Sequence, residues 1–143
     1  MLNIYSASLI DNKKTIEKCL KNLKKIYGNN FNYTIICPKD ACSLFESLEN
    51  TANLRVINEE KIISFSDFKN ITLDICQKIS KKYNLEIVVK EERIGWYYQQ
   101  ALKLAYLFEE SIDKPITCID ADTYLIRKIP FYNGESSNLF FKP

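Results

Sequence analysis

Asp120 and Asp122 stand one residue apart in "CIDADTYL", residues 118–125. Two carboxylates so spaced, with only Ala121 between them, are suited to a hard divalent cation and through it to a diphosphate. Mg²⁺ and Mn²⁺ take oxygen ligands and bridge phosphate oxygens. The spacing alone is weak, since 18 acids in 143 positions yield about two such pairs by chance. Context adds to it. "ITCI" ahead of the acids is apolar and "TYLI" behind them resumes an apolar stretch, while no Gly, Asn or Pro adjoins the pair as a plain turn prefers. Two readings stand: a cation and phosphate site, or a solvated turn.

Other chemistry is narrowed by composition. Histidine is absent. That removes Ser-His and Cys-His nucleophilic schemes and the commonest zinc ligand. The five cysteines, Cys19, Cys37, Cys42, Cys76 and Cys118, show no C-x-x-C spacing and lie among apolar residues. Their odd number, without a secretion signal, reads as reduced, buried thiols. Chemistry is left to carboxylates, Lys, Arg, Tyr or an oxygen-bound metal. No glycine-rich phosphate loop occurs. A net charge of +2 with dispersed basic residues does not point to nucleic acid. The densest basic run, "KKTIEKCLKNLKK", reads as a solvated helix face, with an anionic membrane surface as the alternative. No apolar run reaches a membrane span, and the N-terminus lacks signal-peptide features. A cytoplasmic location is the default.

The elements that must carry the acids follow from periodicity and punctuation. Strands are expected at 2–8, 31–38, 53–58 and 115–120. Helices are expected from Asp11, as N-cap, to Gly28, and over 39–50, 64–84 and 96–111. In the first helix Ile16, Cys19, Leu20, Leu23, Ile26 and Tyr27 share one face. In the third Phe68, Ile71, Ile75 and Ile79 align. Residues 85–89 read as a strand or an extended loop. Residues 123–132 read as extended, with Pro130 denying them a central ladder place. The alternation implies one α/β domain with a mainly parallel sheet flanked by helices. Ligands bind such sheets at the carboxyl ends of strands, where the two acids fall.

"RIGWYYQQALKLAYLFEES" followed by "ITCIDADTYLIRKIPFY" resembles glycosyltransferases of the GT-A fold, the nucleotide-diphospho-sugar transferase superfamily. It is most similar to a bacterial group with an R-x-G-W-x-x-Q-Q-x-x-K-L helix before a D-x-D strand. The likeness covers residues 93–132; over 1–90 it is only compatible. It implies a Rossmann-like GT-A fold and a nucleoside diphosphate sugar donor. It further implies a saccharide, glycan or lipid-linked acceptor and Mn²⁺ or Mg²⁺ as cofactor. Asp122 would bind the metal, and Asp120 the metal or the ribose. Lys103 would neutralise a phosphate or pair with Asp120, or else lie as a surface lysine on the core. Gln99 or Gln100 would bond the sugar or sit neutrally on the helix. Arg93 would reach the diphosphate or pair with Glu91 or Glu92. Trp96 reads as a core or anchoring residue before a stacking platform. Ser6 falls where the fold receives the base. Catalytic residue and stereochemistry are not assigned.

Relatives of this type are longer and often add a histidine ligand. The chain therefore reads as the N-terminal half of a catalytic domain. It is expected to bind a donor without transferring sugar alone, to self-associate or dissolve poorly because of an uncovered sheet edge, and to be cytoplasmic or peripheral at the inner membrane face. Two other classes remain: a non-catalytic binding or assembly module, and a nucleotidyltransferase, which the glycine-free "IYSASLIDNKK" disfavours.

Overall fold

A computed structural model describes residues 1–8, 12–48, 53–110 and 115–131. The chain runs β1 (Leu2–Ala7), α1 (Lys13–Tyr27), β2 (Phe31–Cys37), a 3₁₀ turn (Lys39–Ala41) and α2 (Cys42–Glu46). It continues through β3 (Asn53–Asn58), a second 3₁₀ turn (Glu59–Lys61), α3 (Phe65–Tyr83), α4 (Glu91–Glu110) and β4 (Ile116–Cys118). All four strands pair in parallel, in the order β3-β2-β1-β4. The expected α/β architecture with a parallel sheet is therefore present, and it is compatible with a Rossmann-like fold.

Alternation along the strands makes two cores. Ile4 in β1 and Phe31, Tyr33 and Ile35 in β2 pack with Ile16 and Leu20 of α1. Tyr5, Ala7 and Ile36 point the other way, onto Tyr98, Leu102 and Tyr106 of α4. In α1 the buried Ile16, Cys19, Leu20 and Leu23 follow helical spacing, as the sequence predicts. Gly28 closes the helix at φ 65°, with its N–H on the Lys24 carbonyl at 2.9 Å. A Cβ there would meet nothing within 4 Å, so the backbone conformation is what favours glycine.

Several boundaries differ from the expected ones, and one expected cap lies outside the described residues. Asp11, the expected cap of α1, lies outside the described residues; Asn12 precedes the helix without a side-chain cap bond. Helix α4 begins at Glu91 rather than near Trp96. Of the two readings for residues 85–89 the loop is the one present: 85–90 form no strand, and Leu85 and Val88 are exposed. After β4, residues 119–131 form an irregular chain lying against α1, with Leu125 buried and Ile129 and Phe131 half-buried. No helix among the described residues is long and apolar enough to cross a membrane.

Candidate functional site

The strand order reverses at β1. Helix α1 leaves β1 on one face towards β2, and α4 covers the other face before β4 returns beside β1. The carboxyl ends of β1 and β4 thus flank a topological switch point, where open α/β sheets hold ligands. Tyr5 pairs with Cys118, and the Ile119 N–H donates to the Tyr5 carbonyl at 3.0 Å. Asp120 therefore comes level with Ala7 at the sheet edge.

The chain turns there. The Thr123 N–H donates to the Asp120 carbonyl at 3.0 Å. Ala121 is 7% exposed and sits in the α1-side core, while Asp120 and Asp122 flank it and face solvent. The small residue between the acids is the pivot that seats the turn. The two carboxylates then diverge. Asp120 accepts from Lys103 Nζ at 2.5 Å, on the α4 side. Asp122 lies near Cys19 of α1, whose thiol is raised above its ordinary pKa first by burial and further by the Asp122 charge.

Two α1 side chains hold the chain that leaves the turn. Asn22 Nδ2 donates to the Leu125 carbonyl at 2.9 Å, and the Leu125 N–H donates to Asn22 Oδ1 at 2.9 Å. The Tyr27 hydroxyl donates to the Ile129 carbonyl at 2.9 Å and accepts the Ile129 N–H at 3.0 Å. Each side chain satisfies both backbone groups of one residue, as a strand neighbour would. The turn carrying the acids is thus anchored by β4 before it and by α1 after it.

Lys103 is drawn in from the opposite face. Its side chain is 10% exposed, against 71% for Asp120. Its backbone carbonyl accepts from the buried Tyr5 hydroxyl at 2.8 Å, which fixes this turn of α4 to β1. Gln99 Nε2 donates to the Ala7 carbonyl at 3.1 Å. A cleft of about 510 Å³ opens beside that contact, with walls from Ser8, Glu59, Phe65, Trp96, Tyr98 and Gln99. Tyr98 holds one wall, its hydroxyl on the Ile63 carbonyl at 2.8 Å and its ring 5.0 Å from Phe65.

The expected site residues separate accordingly. Asp120, Lys103 and Gln99 come together at the switch point, with Asp122 in the same turn but on the α1 side. Trp96, 55% exposed, is a cleft wall and not a core anchor. Gln100 is half-buried and does not line the cleft, and Arg93 is exposed and does not line it either. Ser6 is fully buried on the α1 side, its hydroxyl 2.9 Å from the Tyr33 hydroxyl. Strand parity puts Ser6 on the face of Ile4, under α1, and it is Ser8, one residue past the end of β1, that borders the cleft. The cysteines are free, but Cys118 is exposed and Cys42 and Cys76 half-buried, which corrects the expectation that all are buried. Cys37 and Cys42 stand 3.7 Å apart, sulfur to sulfur.

Glu59 was not legible as a site residue, although it directly follows β3 and so falls at the same sheet edge. Burial, then the charges of Glu60 and Asp40, raise its pKa. A carboxyl raised in the folded state binds protons more tightly there than in the unfolded chain. Its contribution therefore lowers stability as pH rises from the ordinary carboxylate range through its folded pKa. Glu59→Gln is expected to be more stable than the parent at pH 7, with the difference vanishing well below the carboxylate range. Urea denaturation at both pH values measures it; a destabilised variant at pH 7 would show that Glu59 has a charge partner in solution.

Two exposed carboxylates in one turn suit a hard cation in kind, but they leave most positions to water and ligand. Among the described residues no group of three or more Cys, Asp or Glu side chains forms a cation site. A second cavity, about 370 Å³, opens near the amino ends of the strands beside Asn3, Asn32 and Asn53. These asparagines form an in-register row across β1, β2 and β3. Comparison with protein-family models, with curated proteins and with solved structures found no match to this chain. Fold and site define an α/β protein with a parallel sheet and, at its switch point, an acidic turn paired with Lys103 near an aromatic-walled cleft.

Proposed function

We propose that this crevice binds a nucleoside diphosphate sugar and that the chain serves metal-dependent glycosyl transfer to a saccharide or glycan acceptor. The observation that supports this most is convergence. One strand-end turn sets Asp120 against Lys103 and carries Asp122 two residues on, and the same sheet edge opens into a cleft walled by Phe65, Trp96 and Tyr98. Flat aromatic walls accept a nucleobase by stacking, and Ser8, Glu59 and Gln99 offer polar groups to a base or ribose. Lys103 provides a fixed positive charge for phosphate. Asp122, with Asp120, would hold Mn²⁺ or Mg²⁺. When bound, that ion supplies Lewis-acid stabilisation of a leaving diphosphate. The protein's own part is to fix the turn and hold Lys103 in place.

Isothermal titration with UDP-sugars, GDP-sugars and free UDP, with and without Mn²⁺, tests the reading. Binding that strengthens with metal is expected. A folded chain that binds none of them under either condition rejects it. Donor binding without turnover would assign the chain as a donor-binding module instead.

A further inference from the structure

Helix α3 has 19 residues and none is buried. It still carries an apolar ridge. Ile71, Ile75, Ile79 and Tyr83 recur every four residues and are 60%, 48%, 41% and 59% exposed. The half-buried side of the helix, including Phe68, Thr72 and Cys76, is a neighbouring strip. Phe68 packs with Tyr98 of α4 at 5.5 Å between ring centroids. The ridge is thus a second apolar face that the described residues leave uncovered. Residues four apart form the ridges by which helices most often pack.

Charge says what fits. Asp67 and Asp74 flank the ridge in its amino-terminal half, and Lys78 and Lys82 flank the same side in its carboxyl-terminal half. Asp74 and Lys78 already pair within the helix at 2.6 Å. We infer that the ridge is the contact surface of a homodimer, in which α3 of one copy packs antiparallel on α3 of a second about a two-fold axis at Ile75. In that register Ile75 meets Ile75, and Ile71 meets Ile79 of the second copy. Asp67 comes within one residue's rise of Lys82 of the second copy, about 1.5 Å along the axis, and Asp74 lies beside Lys78. The contact is isologous, as a two-fold requires. A parallel pairing would set Asp67 on Asp67 and Lys82 on Lys82. An anionic membrane would meet the two aspartates at the ridge's border.

The test is sedimentation equilibrium of the full chain across the micromolar range, with circular dichroism to confirm folding. The parent is expected to dimerise, and Ile75→Glu to raise the dissociation constant roughly a hundredfold, as for an apolar anchor at an interface centre. Ile79→Ser is the milder companion should Ile75→Glu fold poorly. Asp67→Lys and Lys82→Asp should each weaken the dimer, and the two together should restore it. Restoration is diagnostic, because losses from helix-end electrostatics within one chain would add rather than cancel. A parent that stays monomeric overturns the inference, as does a dimer indifferent to Ile75→Glu, which would place the contact elsewhere, for instance on the β4 edge. Failure of the double exchange rejects the antiparallel register. Binding of the monomer to phosphatidylglycerol vesicles through the same ridge would give the surface to a membrane.

Discussion

Asn22→Ala is expected to destabilise the chain by about 2–6 kcal/mol, because two buried backbone groups lose their partners at about 1–3 kcal/mol each. The Asn22 amide is 5% exposed and bonds both the N–H and the carbonyl of Leu125. No other side chain needs to move for those groups to be stranded, and water reaches them poorly. The melting temperature should fall by roughly 10 °C. Tyr27→Phe, which strips the same double contact from Ile129 in a half-buried setting, should cost less, about 1–2 kcal/mol. Asn29→Ala, in the exposed turn after α1, is the control and should be near neutral. Denaturant melts followed by circular dichroism measure all three. A loss below 1 kcal/mol for Asn22→Ala would show that the chain beyond the D-x-D turn is not anchored by α1. Below its own melting range, Asn22→Ala should also weaken metal-dependent nucleotide binding. The turn then has one anchor instead of two, and the ordering of Asp122 must be supplied at binding.

The pair of clamps also shows what a linear reading reaches. Strands β1, β2 and β3 are legible because short apolar runs end at Pro38 or at polar residues, and α1 because its apolar spacing and Gly28 agree. The placing of Asp120 and Asp122 at a strand end follows from that alternation alone. The partners of Asn22 and Tyr27 do not. They lie 103 and 102 residues away, and nothing in "KCLKNLKKIY" distinguishes a clamping amide from a solvated one. Ser6 fails for another reason. Period-two alternation defines two faces of a strand but not which one a given helix will cover, so the burial of Ser6 under α1 was settled only when α1 and α4 took their sides. In α3, spacing at Ile71, Ile75 and Ile79 is the pattern that normally marks a core-facing stripe. Here the described residues leave it exposed, since periodicity specifies that a face wants a partner and not that the same chain provides it.

Asp122→Asn should weaken metal-dependent nucleotide binding more than Asp120→Asn does. Both carboxylates are exposed, but Asp120 already spends one oxygen on Lys103 at 2.5 Å. A cation at Asp120 must share that carboxylate with an ammonium, whereas among the described residues no Lys or Arg pairs with Asp122. Removing Asp120 also frees Lys103 for phosphate, which offsets part of the loss. The expected cost at Asp122 is about 1–3 kcal/mol, the scale of a charged contact, and about half that or less at Asp120. Stability should respond in the opposite order. Asp120→Asn leaves the nearly buried Lys103 ammonium without its carboxylate, but with Asp120 so open to water the cost should stay near 1 kcal/mol or below. Lys103→Met keeps the apolar stem and removes the charge, so folding should be nearly unchanged while nucleotide affinity falls by about 1–3 kcal/mol. Titration of UDP with Mn²⁺ beside thermal melts separates these effects. Equal or reversed losses at the two aspartates would reject Asp122 as the inner ligand. A Lys103→Met chain that binds as tightly as the parent would reduce Lys103 to a structural partner of Asp120.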